Sequence, residues 1–387
     1  AKLPQDLESL VRQYHSVLYG KRVLLLMDNA LNAQQLALLV PPPEGCGLIV
    51  TSRHRFLLAG MKEIDLETLS PQEARELLLE ICPRIDSHAD ALADRCAYLP
   101  LALRLAASSL KIRRTLAVAD YLKDLNDEKK RLRTLDEYRG MTEEERGVEA
   151  SLGISYRLLG TREQEHWRAL AVFPGSFDSA AAMSVWHLEE EEECKKLLGN
   201  LLGASMVSWE DSTDRYRLHD LGRDYARARL TEEEFHAFSQ RSAAYYLDIL
   251  KTANKIYLEG GAAITRGLAL FDLEWGSIRA GQAWAAEHWT LDDEAAHLCK
   301  DYPGAGVHCI GLRLHASERV AWHKVGLEAA KKLGDLAAES LHLGQLGLAH
   351  SDLSDFDQAI YFHQSALEIC KEIGDLHGEA VNLHSIG

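Results

Sequence analysis

The sequence has 387 residues, 47% of them apolar, which is enough for about two to four domains with cores of their own. Its formal net charge of −16 disfavours a broad electrostatic grip on nucleic acid or on an anionic membrane, because both require clustered Lys and Arg. The 7 cysteines are scattered without metal-ligand spacing, and the sequence contains neither a signal peptide nor an apolar run long enough to cross a bilayer. These features favour a cytoplasmic protein with reduced thiols that does not enter a membrane.

The first predicted elements are a helix and two strands. Apolar residues recur at helical spacing from Leu7 to Leu18 and predict an amphipathic helix. Residues 23–27 are an unbroken apolar run of the length expected for a central parallel strand, with both faces covered. Residues 47–50 are a second run of this kind. We therefore expect the two strands to pair in parallel.

Polar side chains follow each of these strands. Asp28 comes directly after the first strand, and Thr51 and Arg53 follow the second. Because the carboxyl ends of parallel strands meet at one edge of a sheet, these side chains are expected to share the rim at which open α/β sheets bind ligands.

Residues 67–147 read as helices. Ser70-Pro-Gln-Glu73 is a capping box with Pro at the first helical position, and it predicts a helix to about Ile81. Helices over 89–97 and 102–112 are predicted to bend at Pro100, within the sequence Tyr-Leu-Pro-Leu-Ala. The charge-rich stretch 113–147 is typical of a solvated helix face followed by a linker.

Residues 148–232 predict helices followed by a small hairpin, which is a winged-helix plan. A cap over Thr161–Gln164 begins one helix, and helices over 180–186 and 189–202 precede strands over 206–209 and 216–218. The segment leads into His219-Asp220, a pair that on its own is more often a capping or surface pair than a site.

The remaining sequence is helical and ends in a repeat. Helices are predicted over 235–250 and 275–289, with glycine-rich breaks at 260–267 and 303–311. Leu-Gly-Asp-Leu at 333–336 recurs as Ile-Gly-Asp-Leu at 373–376, forty residues later, and neighbouring positions match at the same offset. Such self-similarity predicts stacked helical hairpins.

The order of these motifs resembles that of STAND signalling NTPases of the NB-ARC type with C-terminal tetratricopeptide repeats. The resemblance implies that Asp28 holds Mg²⁺ through water and that Arg53 reads the terminal phosphate. It also implies that Pro100 packs on the adenine of ADP or ATP, and that His219 contacts the diphosphate of ADP. The sequence departs from the family at Asn29, where a second acid is usual and where an amide cannot act as a general base. It departs again at Tyr98, where the family has Gly, and at Leu218, where it has Met.

The expected fold is mostly α with a partial α/β piece of a P-loop NTPase at its N-terminal end. The predicted domains are the C-terminal part of the NTPase domain (1–66), a helical domain and linker (67–147), a winged helix (148–232), a helical linker domain (233–315) and tetratricopeptide repeats forming an α-solenoid (316–387). No G-x-x-x-x-G-K-[ST] loop is present to cradle phosphates. We therefore expect an internal piece of a longer protein that binds ADP, ATP and Mg²⁺ weakly or not at all, with ATPase activity only if the native protein supplies that loop.

The predicted function is a nucleotide-dependent switch whose repeats sense a protein or peptide ligand, with homo-oligomerisation on activation. Two alternatives stay open. One is a nucleotide-free interaction scaffold, which the missing loop favours. The other is a winged-helix transcription regulator, which is disfavoured because the helix that would read DNA opens with five acids, Glu189 to Glu193, that phosphates would repel.

Overall fold

The computed structural model describes residues 6–42, 45–52, 56–134 and 142–387. Most of these residues are helical. The chain divides into two compact units, Ala1–Leu66 with His350–Phe356, and Glu67–Ala349 with Asp357–Gly387. In the parts of the chain that are described, no helix has both the length and the apolar character needed to cross a membrane.

The first unit contains a parallel strand pair with two short helices. Asp6 caps the first helix by accepting a hydrogen bond from the Ser9 N–H (2.8 Å). The two strands pair in parallel as predicted, with Leu25 opposite Leu48. The elements are α1 Leu7–Leu18, β1 Val23–Met27, α2 Ala33–Ala37 and β2 Cys46–Val50.

Within the part of the chain that the structure describes, one face of this strand pair is exposed, so the prediction of a strand buried on both sides is wrong. Leu24 and Leu26 are 68% and 67% exposed, and Ile49 on the neighbouring strand is 50% exposed. The apolar run reflects the two-sided burial that a parallel sheet needs. The described residues supply cover for only one side.

The second unit begins with helices whose starts follow the predicted signals. The Ser70 N–H donates to the Glu73 carboxylate (2.9 Å) and the Glu73 N–H donates to Ser70 Oγ (3.3 Å), which is the predicted capping box. The helices are α3 Pro71–Ile81, α4 Ala89–Arg95, α5 Pro100–Ile112, α6 Val118–Thr134 and α7 Glu143–Leu158, with a 3-10 turn over Pro83–His88.

The charge-rich stretch is more structured than its composition suggests. Helix α6 buries Tyr121, Leu125 and Leu132, so it contributes to the core as well as presenting a solvated face. Helix α7 begins at a second capping box, formed by Thr142 and Glu145, that the sequence analysis missed. This helix runs across the predicted domain boundary after residue 147.

Helices followed by a hairpin make up the next segment, as predicted. Strands β4 (Ser208–Glu210) and β5 (Arg215–Arg217) form the hairpin. A further strand, β3 (Ser176–Phe177), was not predicted; it pairs with β5 and completes a sheet of order β3-β5-β4. The predicted cap of α8 is shifted by one residue, because Gly160 is the N-cap and its N–H donates to Glu163 (2.9 Å). The elements are α8 Thr161–Ala169, a 3-10 turn over Leu170–Val172, β3 Ser176–Phe177, α9 Ser179–Trp186, α10 Glu191–Gly203, β4 Ser208–Glu210, β5 Arg215–Arg217 and α11 Asp220–Arg227.

Two long helices and two shorter ones follow. Residues 303–311, which looked like a glycine-rich break, are largely helical: α14 runs through Pro303, and α15 starts after Gly306. A Cβ at Gly306 would lie 2.3 Å from a Leu250 methyl, so glycine permits the close approach of two helices there. The helices are α12 Glu232–Leu258, α13 Ala262–His288, α14 Asp293–Ala305 and α15 Val307–Arg313.

The predicted forty-residue repeat is confirmed. Helices α16 Ala316–Leu333 and α17 Leu336–Asp352 recur as α18 Phe356–Ile373 and α19 Leu376–Ile386, and each helix starts forty residues before its counterpart. Gly334 and Gly374 join the two helices of each pair with φ of +67° and +75°, a backbone conformation that favours glycine.

Candidate functional site

The rim of the strand pair brings Asp28 and Thr51 together as predicted. The Thr51 hydroxyl donates to Asp28 Oδ1 and accepts from the Asn29 N–H (2.8 Å). The Ala30 N–H donates to the Thr51 carbonyl (2.9 Å), and the Ser52 hydroxyl donates to the Ala30 carbonyl (2.7 Å). These bonds fix the carboxylate at the carboxyl end of the sheet, facing solvent.

Asn29 adopts a φ of +54°, which Asn tolerates better than most residues. This turn lets the chain double back onto Thr51 directly after the strand. Arg53, the third residue predicted for this rim, lies outside the described residues. Its role as a phosphate sensor stays a prediction.

Among the described residues, Asp28 does not belong to a cluster of side chains that could hold a metal ion. Across the described ranges, no group of three or more His, Cys, Asp and Glu side chains is placed to hold a metal ion. A Mg²⁺ ion can bind through one or two carboxylates, with water and substrate phosphates completing its shell. The Asp28 carboxylate fits that mode, and its predicted role as a Mg²⁺ ligand through water stays a prediction.

Pro100 is the first residue of α5 and lies exposed on the second unit. The turn before it follows a Schellman pattern: the Ala97 N–H donates to the Asp94 carbonyl and the Tyr98 N–H to the Ala93 carbonyl, both at 3.0 Å. Ala97 and Tyr98 have φ of +52° and +56°. Tyr98, which replaces the family glycine, therefore still adopts the backbone conformation that glycine favours.

His219 caps α11. Its Nδ1 accepts a hydrogen bond from the Leu221 N–H (3.2 Å), so a neutral ring carries its proton on Nε2. An Nε2–H is a donor, as a contact with a diphosphate requires. The structure thus places Asp28 in the first unit and Pro100 and His219 at the starts of two helices of the second.

The buried cysteines include two whose environment disfavours the thiolate. All seven are free, and all but Cys46 are buried. Burial raises the pKa of Cys96 and of Cys299 to about 12, so these thiols stay protonated and unreactive at neutral pH.

Sequence reasoning missed a buried ion pair between the small sheet and α13. Arg215 on β5 donates to both oxygens of Glu274, at 2.5 and 2.8 Å, and both side chains are almost fully buried. The guanidinium also donates to the Ser176 hydroxyl and carbonyl, at 2.9 and 2.8 Å. No local pattern marks a pair whose members are 59 residues apart.

Sequence reasoning also missed a clamp made by Arg84. Its guanidinium donates to the backbone carbonyls of Leu110, Arg113 (2.8 Å) and Leu116 (2.9 Å), which lie at the end of α5 and in the turn that follows. A cation is favourable at a helix C-terminus, where carbonyls lack partners.

Taken together, the described elements are a parallel strand pair with Asp28 and Thr51 at its carboxyl end, a small helix-and-hairpin segment and an array of repeated helical hairpins. Over most of its length, this chain is similar in sequence to bacterial regulatory proteins. The regulatory protein AfsR of Streptomyces coelicolor is 34% identical over 352 residues, which cover 87% of this chain and 33% of that protein. The regulatory protein AfsR of Streptomyces griseus is 36% identical over 238 residues, covering 60% of this chain and 24% of that protein.

More distant similarities extend the comparison. A Mycobacterium tuberculosis protein that carries the name of an HTH-type transcriptional regulator is 28% identical over 331 residues, 80% of this chain and 36% of that protein. A STAND protein with a tetratricopeptide repeat sensor from Pyrococcus horikoshii, known from its crystal structure, is 15% identical, covers 98% of this chain and 66% of its own, and gives a TM-score of 0.42. No protein-family model matches the chain. The chain thus spans about one third of the length of the S. coelicolor relative.

Proposed function

We propose that this chain acts in a STAND-type signalling switch of the NB-ARC kind, in which the state of a bound nucleotide controls the protein and the repeats sense a protein or peptide ligand. The observation that carries the proposal is the rim geometry, where Thr51 orients the Asp28 carboxylate at the carboxyl end of parallel strands. Similarity to named regulatory proteins over 87% of the chain supports a regulatory role.

In this proposal Asp28 holds Mg²⁺ through water, Arg53 contacts the terminal phosphate and Pro100 packs on adenine. His219 donates from Nε2 to the diphosphate of ADP and stabilises the inactive state. Because phosphate affinity depends on a glycine-rich loop with its Lys, and the 387 residues contain no such loop, we expect these residues alone to bind nucleotide weakly or not at all. Ligand on the repeats releases ADP and permits assembly.

His219→Ala in the full-length protein tests the switch. A hydrogen bond to a charged acceptor contributes about 1.5–3 kcal/mol, so the ADP off-rate should rise about tenfold or more, and assembly should begin without ligand. The off-rate can be followed with a fluorescent ADP analogue, and assembly by light scattering.

His315→Ala is the matched control, because His315 caps α16 through the same Nδ1-to-backbone contact (3.3 Å to the Ser317 N–H) but belongs to no nucleotide motif. His219→Asn keeps a capping acceptor while removing the imidazole, and should resemble His219→Ala. Equal off-rates in His219→Ala and His315→Ala would remove His219 from the site. Failure of the full-length protein to bind ADP would favour the alternative function, a nucleotide-free interaction scaffold.

Control of transcription is the second candidate, because relatives carry the names of transcriptional regulators. The charges of the small sheet, formed by β3, β5 and β4, disfavour DNA binding. Glu210, Asp211 and Asp214 crowd the hairpin turn, and Arg215 is neutralised by Glu274. Salt-dependent binding of duplex DNA by these 387 residues, measured by fluorescence anisotropy, would support direct readout; its absence would assign any DNA contact to other parts of the protein.

A further inference from the structure

Two buried histidines face each other between the helices of the first repeat. His323 on α16 and His342 on α17 are 2% and 1% exposed, and their Nδ1 atoms lie 3.0 Å apart. A hydrogen bond between two such nitrogens requires that one Nδ1 carries a proton and the other presents a lone pair. The contact therefore holds when both rings are neutral, and it is lost when both Nδ1 atoms are protonated.

The second repeat has the same contact with different chemistry. Forty residues further on, His363 on α18 faces Asn382 on α19, with Nδ1 2.9 Å from the amide Oδ1. The Asn382 amide group also donates to the Gly378 carbonyl (2.9 Å), which fixes Oδ1 as the acceptor. The two repeats thus place a polar pair at one position of the fold, and only the first pair has two groups that titrate.

The surroundings of the first pair favour neutral rings. Burial is the largest cause that lowers the pKa of His342 to about 4, although Asp301, Asp335 and the Lys300 backbone act in the opposite direction and the Lys300 charge adds to the lowering. Burial, the neighbouring His342 and Arg319 lower the pKa of His323 to about 3.

The nearby carboxylates are already occupied. Lys300 on α14 forms ion pairs with Asp301 (3.2 Å) and Asp335 (2.8 Å). His342 Nε2 is buried and has no hydrogen-bond partner among the described residues. A charged imidazole at this position would therefore be compensated only by the Lys300 backbone and by carboxylates that are already paired, and burying such a charge is costly.

We propose that the His323–His342 contact is an acid-sensitive latch that holds α16 against α17 while both rings are neutral and releases them when the rings take up protons. The latch adds protons as an input to the repeat array. It goes beyond the nucleotide switch and does not depend on it.

The direction of the effect follows from proton affinities. Both rings bind protons less well in the closed state than an ordinary histidine, whose pKa is about 6.5. The open state is therefore favoured as pH falls below about 6.5, by up to about tenfold per pH unit for each histidine and about a hundredfold for the pair. The latch is fully effective above that pH and weakens until the pH reaches the lowered pKa values near 4 and 3.

Native-state hydrogen exchange of the 387-residue chain, without nucleotide, tests the latch. Between pH 6.5 and 5.5, after correction for intrinsic exchange, the α17 amides should show an opening population that rises by up to about thirtyfold, and clearly more than in α13. His342→Asn reproduces the pair of the second repeat and should reduce the rise to about fivefold, that of one histidine. An equal rise in wild type and His342→Asn would overturn the latch.

Direct titration guards against a variant that folds poorly. In the wild-type chain, nitrogen chemical shifts of the two imidazoles should report rings that stay neutral down to about pH 5. His323→Gln, which keeps a polar side chain on α16, should lose the same part of the pH dependence as His342→Asn. Titration of both folded rings near pH 6.5 would also refute the proposal.

Discussion

Ala97 occupies a position in the turn after α4 that normally belongs to glycine. Its hydrogen bonds to Asp94, and those of Tyr98 to Ala93, are repeated after α16, where Gly334 bonds to Lys331 and Asp335 bonds to Ala330. The two turns therefore share their hydrogen bonds, but the first places two residues with a Cβ, Ala97 and Tyr98, in left-handed backbone, whereas the second places Gly334 there. Left-handed backbone costs an L-residue about 1–2 kcal/mol.

Ala97→Gly should raise the free energy of unfolding by about 0.5–1 kcal/mol, because the relief of strain exceeds the extra chain entropy of glycine. The matched reverse change, Gly334→Ala, should lower it by about 1 kcal/mol, since a Cβ there meets open space and only the backbone is strained. Urea denaturation of both variants measures the effect. A loss of stability in Ala97→Gly would show that the alanine methyl contributes more by packing than its backbone costs.

Among the helices, α14 is bonded to α12 by a tyrosine that passes over α13. The Tyr302 hydroxyl on α14 donates to the Ala243 carbonyl on α12 (2.7 Å), and it reaches this carbonyl by passing over Gly281 on α13. A Cβ at Gly281 would lie 2.1 Å from the Tyr302 hydroxyl and 3.1 Å from the Ala243 Cα. Glycine is thus required by close approach rather than by its φ.

Gly281→Ala should destabilise the protein by about 2–4 kcal/mol, from overpacking together with loss of the buried hydrogen bond. Gly276→Ala, in the same helix, has nothing within 4 Å of the new Cβ and should stabilise by about 0.5–1 kcal/mol. Thermal unfolding followed by circular dichroism distinguishes the two. The same sign for both variants would contradict this account of the packing.

These helices show which parts of the fold were predictable. The start of α3 follows from Ser70 and Glu73, and the repeat follows from a period visible along the chain, because both signals are local. The meeting of Gly281 with Tyr302 is a tertiary event, as is the pairing of Arg215 with Glu274, so neither leaves a pattern in neighbouring residues. Residues 303–311 were misjudged for the same reason: Gly304 and Gly306 lie against side chains of neighbouring helices and do not mark a break.

The candidate site was predictable to the same extent. The closeness of Asp28 and Thr51 was predicted from the sequence, because the two parallel strands that precede them end at the same edge of the sheet. The capping role of His219 depends on a helix start that the sequence did not define. The left-handed turn before Pro100 was hidden because alanine and tyrosine occupy it.

The Arg215–Glu274 pair connects segments that the sequence assigned to different domains, 148–232 and 233–315. Removing one member of a buried pair leaves an uncompensated charge, so Glu274→Gln should cost about 3–5 kcal/mol and free the small sheet from α13. Hydrogen exchange of the β4 and β5 amides should then show opening at lower urea than that of the α13 amides.

The double variant Arg215→Met/Glu274→Leu should recover most of this loss, because an apolar pair of similar volume needs no charge compensation. Asp248→Asn removes an exposed pair with Lys251 (3.1 Å) on α12 and should change stability by less than about 0.5 kcal/mol. If Glu274→Gln behaves like Asp248→Asn, the ion pair does not join the two segments.

The half-covered strand pair has a consequence for how this chain behaves as a solute. Leu24, Leu26 and Ile49 are exposed apolar side chains on neighbouring strands, and within the described residues their sheet has two strands. Such a surface favours association of two copies of the chain, either through their apolar patches or through pairing of their strand edges. The chain should therefore self-associate more readily than its net charge of −16 suggests, and more so as salt screens that charge.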